Sequence, residues 1–350
     1  MKIAISAIAK NEAKHVKRFC ESARGADYIV IADTGSTDDT VTLACAYGAI
    51  VRKISIKPWR FDHARNAALA LVPDDVDVVV CLDLDEVLTE GWREEIERVW
   101  KPETTRLHHK FDFGNGHIYR AQRVHSRHGY FWKFPCHEFQ VADNRLLESH
   151  AHTEKVLIRH KPDKVKSRGQ YMDMLQAAIR ENPDCARSRF YYARELYYYD
   201  RWQDAIDNFS KYLIIPSATW AAERCFAIRV IGECYDKLLD EKQAEMFFLR
   251  ACAECPELRD PWLSLARHYY RRQQWEECLA AIARMLRITT RTYEFVALPE
   301  PWGSEPYDLA ALAAYHMGNK ELAMQYGQEA LYLDPDNDRL RNNLKWYVSE

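Results

Sequence analysis

"VDVVVCLDLDE", residues 76–86, decides how the first half of the chain folds. Val76–Leu82 is a mostly apolar run rich in β-branched residues, the composition of a strand buried on both faces of a sheet. It ends at Asp83, Leu84, Asp85 and Glu86, where such a strand meets solvent. In an extended chain residues i and i+2 point the same way, so Asp83 and Asp85 are expected to face one hard divalent cation, Mn²⁺ or Mg²⁺. The cation would in turn grip phosphate oxygens. A helix starting in "TEGWREEIERVW" (89–100) would also explain acidic residues here, but the patterns upstream are not needed to end a strand.

Those patterns alternate. "KIAISAIA" (2–9), "YIVIAD" (28–33) and "AIVRKISI" (49–56) read as strands, and "EAKHVKRFCESAR" (12–24) and "STDDTVTLACAYG" (36–48) as helices. Strand-helix alternation predicts a parallel sheet covered by helices. Ser36 with Asp39 reads as a capping-box start for the second helix, and Gly48 as its stop. Ligands of such sheets sit beyond the carboxyl ends of the strands, where Asn11, Asp33 and Asp85 all fall. A single crevice is expected.

Three motifs line that crevice. Asn11 and Glu12 follow the first strand directly. Asp33 ends the second, ahead of Gly35 and a helix amino terminus, a good position for a nucleotide base or ribose. "WRFDHARNAAL" (59–69) supplies Arg65 to pair with a diphosphate and Asp62 to orient it. Neither GxGxxG nor GxxxxGK[ST] occurs, which removes a dinucleotide fingerprint and a P-loop. "KFDF", Gly114-Asn115-Gly116 and "HIYRAQRV" (110–124) read as a hairpin around a glycine-rich turn.

"AIAKNEA", "ADTGSTDDT", "WRFDHARNAAL" and "CLDLDEVL", in this order, resemble glycosyltransferase family 2 with a GT-A fold. The resemblance covers residues 1–165. It implies a nucleotide-sugar donor, a UDP-hexose by family preference, a divalent metal and inversion at the anomeric carbon. By that likeness Asp33 would hold the nucleoside, Arg65 the diphosphate region, and Asp83 with Asp85 the metal, with Asn11 and Glu12 also lining the nucleotide-sugar site. His137 and Glu138 in "GYFWKFPCHEFQV" (129–141) are similar to the "HE" element of members that also carry helical repeats. Inverting transfer needs a base on the acceptor side. Glu138 is the candidate, with His137 in reserve, although Glu138 could instead pair with an arginine such as Arg123 or Arg127. His160 resembles the late metal or diphosphate ligand of many GT-A enzymes, and Lys161, Lys164 and Arg168 add positive charge beside it. Nine of the thirteen histidines lie between His108 and His160, yet no HExxH or paired CxxC accompanies them, so they predict no zinc site.

Residues 166–350 change to a wholly helical texture. Four segments each close a first helix with an aromatic residue and open a second with a small one, at Ala205, Ala244, Cys278 and Ala323. The intervals of 39, 34 and 45 residues resemble tetratricopeptide repeats with insertions, the largest in "TTRTYEFVALPEPWGSEP" (289–306). A solenoid of this kind favours a macromolecular acceptor, a polypeptide before a lipopolysaccharide core or a modified DNA base. It also offers a face for a homodimer. A nonenzymatic scaffold with a relic first domain is the rival of another class, and a nucleotidyltransferase, which would release pyrophosphate, is a second.

The bulk numbers agree with two domains in 350 residues. A net charge of −3 gives no global attraction to nucleic acid. The opening strand lacks a signal-peptide pattern and no apolar run reaches about 18 residues, so a soluble cytoplasmic protein is expected. Its ten cysteines then read as reduced, buried thiols.

Overall fold

A computed structural model describes residues 1–163, 169 and 171–348. The chain forms two compact units, Met1–Glu181 and Asn182–Glu350. The sequence reading divides it at 165/166, among residues outside those described.

The first unit is built on an eight-stranded sheet in the order β3-β2-β1-β4-β7-β6-β10-β5. Its strands are β1 (Ile3–Ala9), β2 (Tyr28–Asp33), β3 (Ile50–Lys53), β4 (Val78–Cys81), β5 (Glu86–Leu88), β6 (Arg106–Asp112), β7 (Ile118–Ser126) and β10 (His150–His160). β8 (Tyr130–Lys133) and β9 (Phe139–Ala142) form a separate hairpin. Helices α1 (Ala13–Ser22), α2 (Thr40–Ala46), α3 (Phe61–Ala70) and α4 (Trp92–Val99) alternate with the strands, and α5 (Tyr171–Glu181) closes the unit.

β3, β2, β1 and β4 are parallel, as the alternation predicts. All four residues of β4 are buried, which is why that stretch is apolar without alternation. From β7 the sheet turns mixed, with β7 antiparallel to β4 and to β6, and β5 antiparallel to β10. The hairpin joining β6 to β7 turns through Gly114 and Gly116, whose φ angles of +97° and +76° suit glycine.

Two local expectations change. The second helix starts at Thr40, not at a Ser36 cap. Ser36 Oγ instead accepts the Asn11 main-chain N–H at 2.9 Å, and the Asp38 carboxylate accepts the N–H groups of Ala13 and Thr40. Ser36 and Asp38 therefore stitch two strand-end loops together instead of forming a capping box. The second change is at the acidic run. β4 ends at Cys81, and Leu84–Asp85 form a turn closed by Glu86 N–H on Asp83 O at 2.9 Å. The extended i, i+2 geometry is lost there, and Asp83 and Asp85 have different partners.

The second unit's described secondary structure is helical, without strands. Helices pair as α6 (Ala186–Tyr198) with α7 (Trp202–Leu213), α8 (Ala221–Lys237) with α9 (Glu241–Glu254), α10 (Arg259–Arg271) with α11 (Trp275–Leu286), and α12 (Glu305–His316) with α13 (Lys320–Leu333); α14 (Asp338–Val348) follows. Ala205, Ala244, Cys278 and Ala323 all have 0% exposure, so the small residue of each repeat sits where two helices come closest. This is a tetratricopeptide-like arrangement of stacked helical hairpins.

Candidate active site

The register sets Asp33 beside Ala9 and Cys81 beside Ser6. Because β2, β1 and β4 run parallel, residues 10–12, 33–36 and 83–86 leave the sheet at one rim. Asn11 takes φ +56°, and its Oδ1 accepts the Thr37 main-chain N–H at 2.7 Å. Asp33 is fully buried, and its carboxylate accepts the N–H groups of Gly35 and Ser36 at 3.1–3.2 Å. Both side chains shape the loop that follows β2.

The charged centre of the rim is Arg65 on α3, only 7% exposed. Its Nη2 donates to Asp83 Oδ1 at 2.7 Å and its Nε to Glu138 Oε1 at 2.5 Å, while the guanidinium lies 4.9 Å over the Trp132 ring. Arg65 thus joins two carboxylates that are far apart in sequence. A second guanidinium, the half-buried Arg123 of β7, donates to Glu86 Oε2 at 2.7 Å and stands 3.7 Å from Asp83 Oδ2. Burial pushes the Asp83 carboxyl up, but the two guanidinium groups outweigh it and hold the carboxyl below its ordinary range.

Asp62 does not orient Arg65. It is buried and binds Arg60, whose Nε and Nη2 donate to its two oxygens at 3.1 and 3.0 Å. Arg60 also pairs with Glu181 at the end of α5. His137 takes φ +50°, with its ring 5.6 Å from that of Tyr171.

Asp85 is 4% exposed, and its Oδ2 lies 3.5 Å from His160 Nε2 at the end of β10. Its main-chain oxygen accepts the Lys161 N–H at 2.7 Å. Strand pairing of β10 with β5 therefore brings residues 75 apart in sequence to one point. Lys161 is exposed beside them. Arg168 lies outside the described residues.

The glycosyl transferase family 2 model matches residues 5–165, which hold the whole rim just described. An uncharacterized glycosyltransferase of Rickettsia bellii is 33% identical over 100 residues, 28% of this chain and 33% of the relative. One from Rickettsia conorii is 36% identical over 101 residues, 28% of this chain and 34% of the relative. The chain thus spans about a third of the length of the curated relatives it matches. The crystal structure of MamA covers 48% of this chain and 89% of its own at 15% identity and a TM-score of 0.40. That of PilW, a type IV pilus biogenesis factor, covers 52% and 75% at 18% identity and 0.41.

Two places in the first unit offer ligand atoms for a metal. At the rim, His160 Nδ1 is buried with no hydrogen-bond partner among the described residues. His160 Nε2 and Asp85 Oδ2 stand 3.5 Å apart, a separation that suits two ligands of one ion, which lie roughly 3 Å apart. The residues fit a divalent cation. The second place is Glu12, His15 and Asp163, whose ligand atoms lie within 4.8 Å of one another. Here Arg18 Nη2 is 2.9 Å from His15 Nδ1, and arginine only donates. The His15 proton is therefore on Nε2, 3.3 and 3.6 Å from Asp163 and Glu12, and His15 keeps no lone pair there for an ion.

Sequence reasoning missed Glu86 and named Arg123 only as a possible partner of Glu138, which pairs with Arg65 instead. Glu86 is 1% exposed, and its Oε2 accepts both Arg123 Nη1 and the Asp83 main-chain N–H, fixing the turn that carries Asp83 and Asp85. The fourth letter of "DLDE" was the available signal. Arg123, on a strand far from the motifs, gave none.

Proposed function

We propose that the chain transfers a sugar from a nucleotide-sugar donor, a UDP-hexose, to a polypeptide acceptor with inversion at the anomeric carbon. Asn11, Glu12 and Asp33 frame the nucleoside end by fixing the loops at 10–12 and 34–40. Asp85 and His160, with Asp83 beside them, hold a divalent cation, Mn²⁺ or Mg²⁺, which supplies positive charge to a leaving diphosphate. Lys161 adds charge on the same side. Glu138 accepts the proton of the acceptor hydroxyl as that oxygen bonds to the anomeric carbon opposite the breaking carbon–oxygen bond. Arg65 positions Glu138 against Asp83, and His137 borders the acceptor side.

The observation that carries this reading is the placement of the Arg65-joined pair Asp83 and Glu138 one turn from the Asp85–His160 pair. The carboxylate–imidazole pair of Asp85 and His160 suits a cation, and the Glu138 carboxylate suits a proton. Calorimetric titration of UDP, GDP and CDP, each with and without Mn²⁺, on the wild type and Asp85→Asn tests it. Mn²⁺-dependent binding of UDP, lost in the variant, is expected. Binding of none of the three would overturn the reading in favour of a repeat scaffold. Release of pyrophosphate from a nucleotide-sugar synthesis reaction would favour a nucleotidyltransferase.

A further inference from the structure

The second unit carries an unusual burden of buried charge. Arg194 on α6, Arg229 on α8 and Asp260 on α10 are 8, 4 and 6% exposed. Ionised side chains are rarely buried unless something covers and pairs them. All three lie on the first helix of a repeat, and those first helices bond to one another in succession. Tyr197 Oη donates to Glu233 Oε2 at 2.9 Å, Ser264 Oγ to Glu233 Oε1 at 3.2 Å, and Arg267 to Glu305 at 2.6 Å. A polar seam thus crosses α6, α8, α10 and α12.

What covers the seam is the insertion between α11 and α12. Residues 291–299 form no helix or strand, only a turn with Ala297 N–H on Glu294 O at 3.1 Å. Leu298 N–H donates to the buried Asp260 Oδ1 at 2.6 Å, and the Phe295 ring lies 5.7 Å from the Arg194 guanidinium. Val296 is buried. The stretch therefore reaches from α10 back to α6 along the inner helices. Arg259 fastens both ends, bonded to Ile288 O upstream and to Pro301 O downstream, with its guanidinium 3.8 Å over Trp302. Arg194 Nε, buried, has no hydrogen-bond partner among the described residues.

These contacts are those of a bound peptide. A turned backbone gives an N–H to an acidic side chain, an aromatic residue three positions earlier sits at a cation, and one guanidinium donor is left for an acceptor the present occupant does not supply. We propose that the inner face of the repeat unit is a peptide groove whose resident occupant is the chain's own Tyr293–Leu298, and that a partner peptide enters by displacing it. The partner is a segment with a turn like that at 294–297, an aromatic side chain at the Phe295 position and a carbonyl or carboxylate oxygen for Arg194. This rests on the polypeptide-acceptor reading above and gives it a gate, since the groove opens only when the strap lifts.

The test uses the full chain and a fluorescein-labelled synthetic peptide of residues 291–300. Its hosts are the wild type and a variant whose residues 292–298 are replaced by seven glycine and serine residues. At least tenfold tighter binding to the strap-replaced chain is expected, and it should disappear when Asp260→Ala is added or when Phe295→Ala is made in the peptide. Equal binding to both hosts, or none to a folded strap-replaced chain, overturns the proposal. So does unfolding of that variant, which would make the strap part of the core. Hydrogen exchange on the wild type gives a second reading. The Leu298 amide should exchange at least 100-fold faster than those of Leu265–Tyr269, because the strap opens without the helices; equal protection overturns the proposal. Nucleotide titration probes the other unit, so failure here leaves the donor-side reading standing.

Discussion

Arg65 and Glu138 meet through a 2.5 Å charge-assisted hydrogen bond, while the same guanidinium reaches Asp83 at 2.7 Å. The guanidinium fork suits two carboxylates at once, and a lysine ammonium, as a point charge on a flexible stem, does not. Arg65→Lys is therefore expected to keep one partner and strand the other, at a cost of about 3 kcal/mol in urea unfolding. A double-mutant cycle with Glu138→Gln should give a coupling energy of about 1–3 kcal/mol. Coupling near zero would detach Glu138 from Arg65 and remove the positioning role.

How stability responds to acid follows from His109 and His125, which are 1 and 0% exposed. In each, Nδ1–H donates to a main-chain carbonyl, of Lys110 at 2.9 Å and of Ser126 at 2.8 Å. His109 Nε2 accepts the Arg123 main-chain N–H at 3.2 Å. Burial pushes both imidazoles down from 6.5 to about 4. A lowered imidazole contributes stability that is present above the unfolded value and lost as pH falls toward the folded one. Between pH 7.5 and pH 5 each should cost roughly 2 kcal/mol. Urea midpoints at the two pH values should fall accordingly in the wild type and by less in His109→Gln. An identical drop in that variant would show that His109 is not a source of the pH response.

The parallel half of the sheet was legible because buried strands and amphipathic helices leave different periods. In β4 burial on both faces wrote itself as an apolar run, and the strand-end residues Asn11, Asp33 and Asp85 were placed at one rim by topology alone. The side-chain pairings were not legible. Arg60 took Asp62, and Arg65 took Glu138, choices set by the approach of α3 to the segment after β8. The turn at Leu84–Asp85 was hidden for a similar reason. Glu86 on the edge strand β5 and Arg123 on the central strand β7 hold it, and no local pattern encodes that pair. In the repeats, small residues marked each crossing, but the path of an 18-residue insertion has no period to read.

At one such crossing the fit can be tested directly. Gly232 on α8 faces α9, where a Cβ would come 2.9 Å from Phe248 Cε1 and 3.3 Å from the Ala244 carbonyl oxygen. Phe248 is fully buried and Ala244 O is main chain, so neither can move aside without shifting a helix. The ordinary gain of replacing a helical glycine by alanine, about 1 kcal/mol, is then outweighed by overpacking of about 1–3 kcal/mol. Gly232→Ala is expected to lower the urea midpoint, and Gly232→Ala with Phe248→Leu to recover part of the loss by giving the new methyl room. A stabilised single variant would mean that α8 and α9 stand farther apart than these distances.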